Sequence, residues 1–412
     1  GWQMSFDGMI NVFGVYDTKS SRTGGNNHYN IPDSDSGITG LYQASPAEQS
    51  FRIRTGLLPS IFAFNVKSPT INGVDYAARI GLYPQIENAG TRSGLGPGMD
   101  NGGTSIDIRE VFFTADGCFG QVLAGRALNL YLGKNILTDM TLIGLGVPLN
   151  MTGEGVSLGF IGRGYPYPSF GPQFRYTTPD MNGFKVAVSI NDPGRITGKT
   201  AVVGNASDPS EVYEVNRNYE AKVLNQPRFE TEISYAKTFK DGKVQAWLNG
   251  LFQEAGMNAS PRTGVPQKVT SIGGGGGVQV VYGPFETVIS TFGGQALGLT
   301  LIQDGFDALD YLGRERLTVG GLAHVTYTIG KTKLGAQYGI SYAQTTEFDQ
   351  FMVNANYGDL IKKSQQGVTA GIYHSLTKNL TLVGEYTYAL DQWYDGSKQN
   401  QNIISVGTVF TW

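Results

Sequence analysis

The chain has 412 residues, of which 58 are glycine, 47 are aromatic (22 Tyr, 21 Phe and 4 Trp) and only 16% are charged. This glycine- and aromatic-rich composition excludes an intrinsically disordered chain, and a net charge of −3 argues against a nucleic-acid-binding protein. The single cysteine, Cys118, excludes an internal disulfide framework and a CxxC metal site. No apolar run reaches about 18 residues, so no transmembrane helix is predicted.

Strand signals recur along the whole chain. In residues 317–329, 334–342 and 380–390, apolar side chains and tyrosines alternate with polar residues or glycine. A period of two places the two kinds of residue on opposite faces of a strand, whereas long stretches with a helical period are absent. We therefore predict an all-β protein.

Short and long connections between the strands alternate, which gives about sixteen strands. A polar or glycine-containing break at one end of the strands is typical of a hairpin turn. The seven short turns are predicted near residues 69–73, 115–117, 179–183, 240–243, 282–285, 328–332 and 376–379. The eight long connections are predicted near residues 16–48, 87–102, 132–157, 192–224, 255–267, 295–315, 345–364 and 391–399.

This arrangement favours a transmembrane antiparallel β-barrel that forms one domain over residues 1–412. Short turns at one end, long loops at the other, and apolar residues on the outer face are typical of such barrels. A closed sheet also satisfies the backbone hydrogen bonds that lipid cannot satisfy. The alternative is a secreted β-rich protein, which would bury its apolar faces between two sheets.

Several segments resemble one family, the bacterial general porins, which are trimeric sixteen-stranded outer-membrane barrels. They are Gly125–Arg126 followed by Thr138–Asp139–Met140, then Phe160–Arg163, residues 174–188, and the aromatic ending 406–412. The resemblance implies an outer-membrane channel for passive diffusion of small hydrophilic solutes, with an inward constriction loop and no cofactor, metal or catalytic residue. Expected partners are a homotrimer, outer-membrane lipid and lipopolysaccharide. We also expect a processed mature chain, since no export signal is present.

The long connection at residues 132–157 is the predicted constriction loop. It is unusually apolar for a loop exposed to water, so either it folds inside the barrel or it meets a neighbouring subunit. Enterobacterial porins carry a Pro-Glu-Phe-Gly-Gly-Asp run in this loop, whereas here residues 141–146 contain no acid. The loop acids are Asp139 and Glu154, and we infer a pore that is less cation-selective.

Arginine predominates among the candidate pore-lining residues. Arg52 and Arg54 alternate with apolar residues, as do Arg79 and Arg175, and all four are predicted to face inward. The resemblance adds Arg126 and Arg163 to this basic wall, and it places Arg163 on an arginine-bearing strand after the loop. Such a wall would attract anions, because arginine stays charged and binds carboxylates or phosphates in a forked geometry.

Alternatives remain for two arginines of the wall and for the function of the wall as a whole. Arg109 is placed inside, but the sequence that follows breaks the alternation, so a bulge is expected. Strict alternation groups Arg126 with Val122 and Ala124 on the outer face, against the resemblance. The competing interpretation is that lumen arginines only pair with acids and fill the barrel. The candidate lumen acids are Asp107, Glu230, Glu232 and Glu385.

The remaining signals point away from catalysis. The run Gly273–Gly277 lacks the Lys-Ser/Thr of a phosphate-binding loop and is predicted to be a thin stretch of strand beside a close neighbour. His28, His324 and His374 show no metal-ligand spacing, and Cys118 is expected to be inert. A channel selective for small carboxylates is the second functional hypothesis. An outer-membrane hydrolase is a third, and it lacks a nucleophile–base pair.

Overall fold

The computed structural model describes residues 1–25, 47–86, 106–148, 156–198, 220–257, 266–303, 307–310, 312–356, 358 and 361–412. These residues form a closed antiparallel β-barrel of sixteen strands. Each strand pairs with its neighbours in the sequence, and the first strand pairs with the last, for example Val12 with Thr408. The prediction of about sixteen strands is confirmed.

The strands are long, and three of them are interrupted. Their bounds are β1 Gln3–Lys19, β2 Glu48–Arg54 and Ile61–Lys67, β3 Asp75–Pro84, β4 Ile106–Gly117, β5 Gly120–Leu128, β6 Phe170–Thr177, β7 Phe184–Asn191 and Ile196–Thr197, β8 Glu220–Val223 and Arg228–Phe239, β9 Gly242–Met257, β10 Lys268–Tyr282, β11 Phe285–Gln295, β12 Leu317–Ile329, β13 Thr332–Ala343, β14 Lys362–Ser375, β15 Leu380–Trp393 and β16 Lys398–Thr411.

The two faces of the wall differ as the alternation predicts. Along β16, Ile404, Val406 and Phe410 are 45–67% exposed, whereas the intervening Ile403 and Ser405 are buried. The exposed apolar side chains form the outer face of the closed barrel, and the alternating residues form the inner face. An apolar outer band of this kind is what a lipid environment requires.

The seven predicted short turns all join neighbouring strands. One predicted long connection is wrong, because residues 391–399 contain only a four-residue turn at 394–397. The Trp393 N–H donates to the Ser397 carbonyl oxygen (3.1 Å), and the Asp395 carboxylate accepts from the backbone N–H of Ser397 (2.9 Å). These contacts close the turn and let β15 and β16 extend further than the polar sequence indicates.

Two short helices lie in the connections. Helix α1 spans Gly133–Leu137, with a 3-10 turn at Met140–Ile143 after it, and helix α2 spans Glu347–Asn354. Helix α2 begins with a capping box in which Thr346 and Asp349 bond each other's backbone N–H. No helix in the described part of the chain is long and apolar enough to cross a membrane.

Candidate functional site: the inner wall and the connection between β5 and β6

Three buried carboxylates, two on β8 and one on β15, bind the connection between β5 and β6, residues 129–169. Glu230 of β8 accepts a hydrogen bond from the Tyr131 N–H (2.9 Å). Glu385 of β15 accepts from the N–H groups of Leu145 (2.8 Å) and Gly146 (2.9 Å). Glu232 lies 3.5 Å from the Lys134 ammonium. Three of the four predicted lumen acids therefore contact this connection.

Asp139 is buried inside the same connection, with 4% of its surface exposed. One carboxylate oxygen accepts from the Thr141 N–H (2.8 Å) and from the Gln337 side-chain amide (2.7 Å). The other accepts from the Tyr165 hydroxyl (2.6 Å). These bonds cap the 3-10 turn and tie it to β13, so this acid does not face open lumen. The other predicted loop acid, Glu154, lies outside the described residues.

The connection also packs on the inner face through apolar side chains. Tyr131, Leu132 and Phe160 are fully buried in one cluster with inner-face residues of β9, β11 and β12, which are Leu251, Phe292 and Leu322. Met140 and Leu145 lie in a second cluster with residues of β1 and β14–β16. The apolar sequence that is unusual for a loop is thus explained by contact with the wall.

The glycine run of β10 makes room for this packing. A Cβ atom on Gly273 would lie 2.5 Å from the Tyr131 hydroxyl oxygen, and one on Gly275 would lie 2.6 Å from a Leu132 methyl carbon. A Cβ on Gly277 would meet the Trp247 ring at 2.4 Å. Distances below 3.0 Å exclude a side chain without displacement of the neighbour. The prediction that another group lies close to this run is confirmed.

Arg79 of β3 is held by two acids on the inner face. Its guanidinium lies 3.0 Å from Asp7 of β1 and 2.7 Å from Glu110 of β4. Glu110 also accepts from the Tyr83 hydroxyl (2.6 Å), and Arg79 donates to the Asn65 amide oxygen (3.0 Å). The positive charge of Arg79 is therefore compensated within the wall.

Arg109 lies at the expected bulge in β4. Gly81 pairs with Glu110 and Leu82 with Ile108, so Arg109 is the extra residue and lies inside together with Glu110. Its guanidinium is 2.7 Å from Asp107 and donates to the Tyr167 hydroxyl at 3.5 Å. It also lies over the Tyr83 ring, 5.3 Å from the centroid.

Arg126 adjoins the same group. Strand pairing alone puts Arg126 opposite the exposed Val111, but the preceding Gly125 has a φ of 130° and interrupts the regular alternation. Burial raises the pKa of Tyr167, and the positive charges of Arg109 and then Arg126 oppose that shift. The charge of Arg126 thus acts on a residue of the connection, and the membership of Arg126 in the pore-lining wall stays a prediction.

Three further arginines belong to the same wall. Arg52 and Arg54 alternate with Phe51 and Ile53, which are 63% and 62% exposed on the outer face. Arg52 is exposed and Arg54 is 1% exposed, so the two differ in access to the lumen. Arg175 of β6 donates to the Leu128 carbonyl oxygen and to Gln173.

Arg163 is placed differently from the prediction. It lies outside the barrel strands, in the connection, instead of on a strand after the loop. Its guanidinium forms an ion pair with Asp391 of β15 (2.6 Å), which also binds Lys362 (2.9 Å). The motif was misread because isolated bridges at Ile161 and Tyr165 turn the backbone before a strand can form. Arg163 is thus remote from the basic wall of β2–β6.

The remaining candidates form no catalytic group. His374 shares a hydrogen bond with Thr332 (2.9 Å), and Cys118 is exposed in the short turn after β4. His324 is buried on the inner face of β12, and His28 lies outside the described residues. Within the described ranges no cluster of His, Cys, Asp and Glu could hold a metal ion.

Sequence reasoning missed the acids that hold Arg79. Asp7 and Glu110 were not among the predicted lumen residues. Asp7 occupies an inner position of β1 next to the exposed Phe6, so alternation alone was sufficient to find it. Glu110 was missed because of the bulge at Arg109. The bulge inserts one extra residue into β4, so Glu110 faces inward where strict alternation places it outward.

The comparisons with known proteins agree with this architecture. The family model described as Gram-negative porin matches residues 3–392. The chain belongs to the Gram-negative porin family. Porins are channels in the bacterial outer membrane rather than enzymes, and the family supports passive diffusion. A comparison with curated protein sequences gave no significant match.

Solved structures share the fold of this porin at low identity. The outer-membrane channel DcaP of Acinetobacter baumannii is 13% identical, with a TM-score of 0.64 over 100% of this chain and 98% of that one. An anion-selective porin from Comamonas acidovorans is 13% identical, with a TM-score of 0.59 over 100% of both chains. A trimer form of OmpT from Vibrio cholerae is 12% identical, with a TM-score of 0.53 over 100% of both.

Proposed function

We propose that this porin is a diffusion channel whose lumen favours anionic solutes. The solutes would pass along a wall of arginines on the consecutive strands β2–β6. The opposite side of the path would be the connection 129–169, acting as the constriction loop inside the barrel. Lumen charge, width and hydrogen-bonding groups are the properties that decide what a pore admits.

One observation carries this proposal: arginines and acids of the inner wall are engaged differently. Glu230, Glu232 and Glu385 are occupied by the connection. Arg126, in contrast, forms no ion pair with an acid among the residues that the structure describes. Charges that are satisfied by the protein contribute little to the field in the lumen, so the net field of this wall is positive.

The contacts of the connection favour an intramolecular constriction over a contact with a neighbouring subunit. Its bonds reach β8, β13 and β15, and its apolar side chains fill space against inner-face residues. We infer that the segment narrows the lumen and that the open path lies on the arginine side. On the same grounds we propose that residues 132–157 are the constriction loop. We also propose that the barrel and this loop together form one domain.

A homotrimer in outer-membrane lipid and lipopolysaccharide is proposed as the working assembly. One protein of the same fold has been described in a trimer form, and another as anion-selective. The exposed apolar outer face suits contact with lipid or with another barrel.

Selectivity for small carboxylates is the second candidate, and one group of residues favours it. Arg109 contacts both the Tyr83 ring and the Tyr167 hydroxyl, and the charge of Arg126 acts on Tyr167. Two guanidinium groups beside the Tyr167 hydroxyl can bind a carboxylate by forked and single hydrogen bonds. Block of chloride current by millimolar carboxylates would support this narrower function.

The test is the reversal potential in a KCl gradient across a planar bilayer. We expect wild-type channels to favour Cl⁻ over K⁺. Arg126→Ala should reduce the chloride-to-potassium permeability ratio by about twofold, because it removes a positive charge from the path. Arg79→Ala should reduce the ratio less, since Asp7 and Glu110 already compensate that charge.

Arg314→Ala is the matched control, because it removes the same charge where Arg314 pairs with the exposed Glu347. A wild-type channel that favours K⁺ would contradict the proposal. Equal effects of Arg126→Ala and Arg314→Ala would show that the wall does not set the selectivity.

A further inference from the structure

The outer face of the barrel contains a row of residues with little or no side chain. Thr231 of β8 pairs with Gly250 of β9, Gly250 pairs with Gly274 of β10, and Gly274 pairs with Gly293 of β11. All four occupy positions that alternate with inner-face residues. Three glycines side by side on neighbouring strands leave a depression in the outer surface of the sheet, because each lacks the side chain that would project from it.

Large side chains surround one end of this row and form a groove. Phe174, Ile190, Phe229, Phe252 and Ile272 are 40–70% exposed on the same face. With Gly250 and Val188 at its floor, the groove has a volume of about 710 Å³. This volume lies within the range of roughly 300–1,000 Å³ typical of sites that hold a small molecule.

A second recess, the notch, continues the groove toward the end of the barrel that carries the long connections. Both β7 and β8 are interrupted there, at residues 192–195 and 224–227. The notch has a volume of about 620 Å³ and shares Phe174 and Ile190 with the groove. Its other lining residues are apolar, such as Leu224 and three prolines, or polar, such as Asp192, Asn225 and Gln226. The groove therefore ends where amide and carboxylate groups join the apolar lining.

We propose that groove and notch together hold one membrane lipid, with an acyl chain in the groove and its polar head at the notch. Family membership places this outer face in the lipid of the outer membrane. A site that is apolar along its length and polar at one end matches an amphiphile, because each part of the ligand meets a surface of its own kind.

The geometry favours a lipid over a second copy of this chain. A flexible acyl chain can follow a recess between aromatic side chains, whereas a neighbouring barrel would need a protruding ridge of complementary shape. The exposed polar side chains of the notch also suit a hydrated head group. A subunit contact at this place is the competing outcome of the test below.

The site can be tested by photolabelling of the full chain in vesicles. The probe is phosphatidylethanolamine with a diazirine on one acyl chain, mixed into phosphatidylethanolamine–phosphatidylglycerol vesicles, with labelled peptides identified by mass spectrometry. We expect labelling of residues 174–190 and 229–252 to exceed that of the equally apolar outer residues of β15 and β16 by about fivefold.

Gly250→Leu should abolish the excess, because a side chain there fills the groove, while its Cβ meets no atom closer than 3.5 Å. Val188→Phe fills the same floor from β7 and serves if the first variant does not fold. Gly384→Leu is the matched control, since it adds the same side chain to the outer face of β15, where nothing lies within 4 Å. Its labelling of the groove should equal wild type.

Three results would overturn the proposal. They are uniform labelling around the barrel, an excess that persists in a folded groove-filled variant, and cross-links at these peptides to a second copy of the chain. Heat-modified migration on a gel and unchanged single-channel conductance would show that each variant has folded.

Discussion

The two sides of the barrel wall differ in the residues that line their inner face. Strands β2–β6 carry arginines with hydrogen-bonding partners, whereas β8–β15 bind the connection 129–169 through buried acids, glycines and large apolar side chains. Arg79 is compensated by acids of its own wall, while Glu230 and Glu385 are engaged by backbone N–H groups of the connection. The difference teaches that a carboxylate on the inner face does not by itself make a lumen acidic.

The largest effect is expected from the attachment to β15. Glu385 accepts hydrogen bonds from the N–H groups of Leu145 and Gly146 and from the Tyr373 hydroxyl. Glu385→Ala leaves these buried donors unpaired and should lower the free energy of unfolding by about 3 kcal/mol. Urea unfolding of the refolded barrel measures this change, and single-channel recordings should show larger or noisier currents as the connection loosens.

Glu385→Gln serves as the control for that experiment. It retains one oxygen as acceptor, so the loss of stability should be smaller than for alanine. If both variants unfold and conduct like wild type, the packed side does not depend on this carboxylate, and the contrast between the two sides fails.

Two adjacent glycines of β10, Gly274 and Gly275, allow the outer and inner faces to be compared within one strand. Gly275→Val should lower the free energy of unfolding by about 2 kcal/mol, because the new side chain collides with Leu132 and overpacks the inner face. Gly274→Val points outward, where nothing lies within 4 Å, and should be neutral or slightly stabilising. Equal losses in the two variants, measured by the temperature of heat-modified migration, would show that the inner packing is not tight.

The smallest effect concerns Asp310, in the connection between β11 and β12. Burial raises the pKa of its carboxyl group above the usual 3.8, and the nearby charge of Asp349 adds to the rise. The folded form therefore holds its proton to higher pH than the unfolded form, and local stability falls as the pH rises above 3.8. Asp310→Asn should remove this slope.

Hydrogen exchange at the Leu312 and Arg314 amides, which donate to Asp310, measures that local stability. In wild type, protection should be greater at pH 4 than at pH 7 after correction for the intrinsic exchange rate. The asparagine variant should show a smaller difference. An unchanged difference would assign the pH dependence to another group.

Much of the fold could be predicted from the sequence, because alternation and turn residues act locally. The pattern of 334–342 and 380–390 gave the faces of β13 and β15, and the short turns separated the strands. Helix α2 was missed although Thr346 and Asp349 have the spacing of a capping box, since a helix of only eight residues adds little periodicity. The turn at 394–397 was missed because the residues on either side of it are polar. They were predicted to be part of a long loop, but they belong to strands β15 and β16.

The site was less predictable, because its contacts join residues far apart in the chain. Alternation placed Glu230 and Glu385 on the inner face, but it could not indicate that Tyr131 and Leu145 would bind them. Arg163 was assigned to a strand because its motif resembles a family motif, yet an ion pair to Asp391 fixes it elsewhere. The close neighbour of Gly273–Gly277 was predicted because five glycines leave a space that some group must fill.

The interruption of β2 at residues 55–60 has a mechanical consequence. There the Leu57 N–H donates to the Gly144 carbonyl oxygen (2.9 Å), and the Ser157 N–H donates to the Gly56 carbonyl oxygen (3.0 Å). The barrel backbone is thus hydrogen-bonded directly to the connection at Gly144, beside Leu145 and Gly146, whose N–H groups donate to Glu385 of β15. Two separate wall strands therefore hold this one short stretch. A movement of the stretch away from the wall would first have to break its main-chain hydrogen bonds with β2.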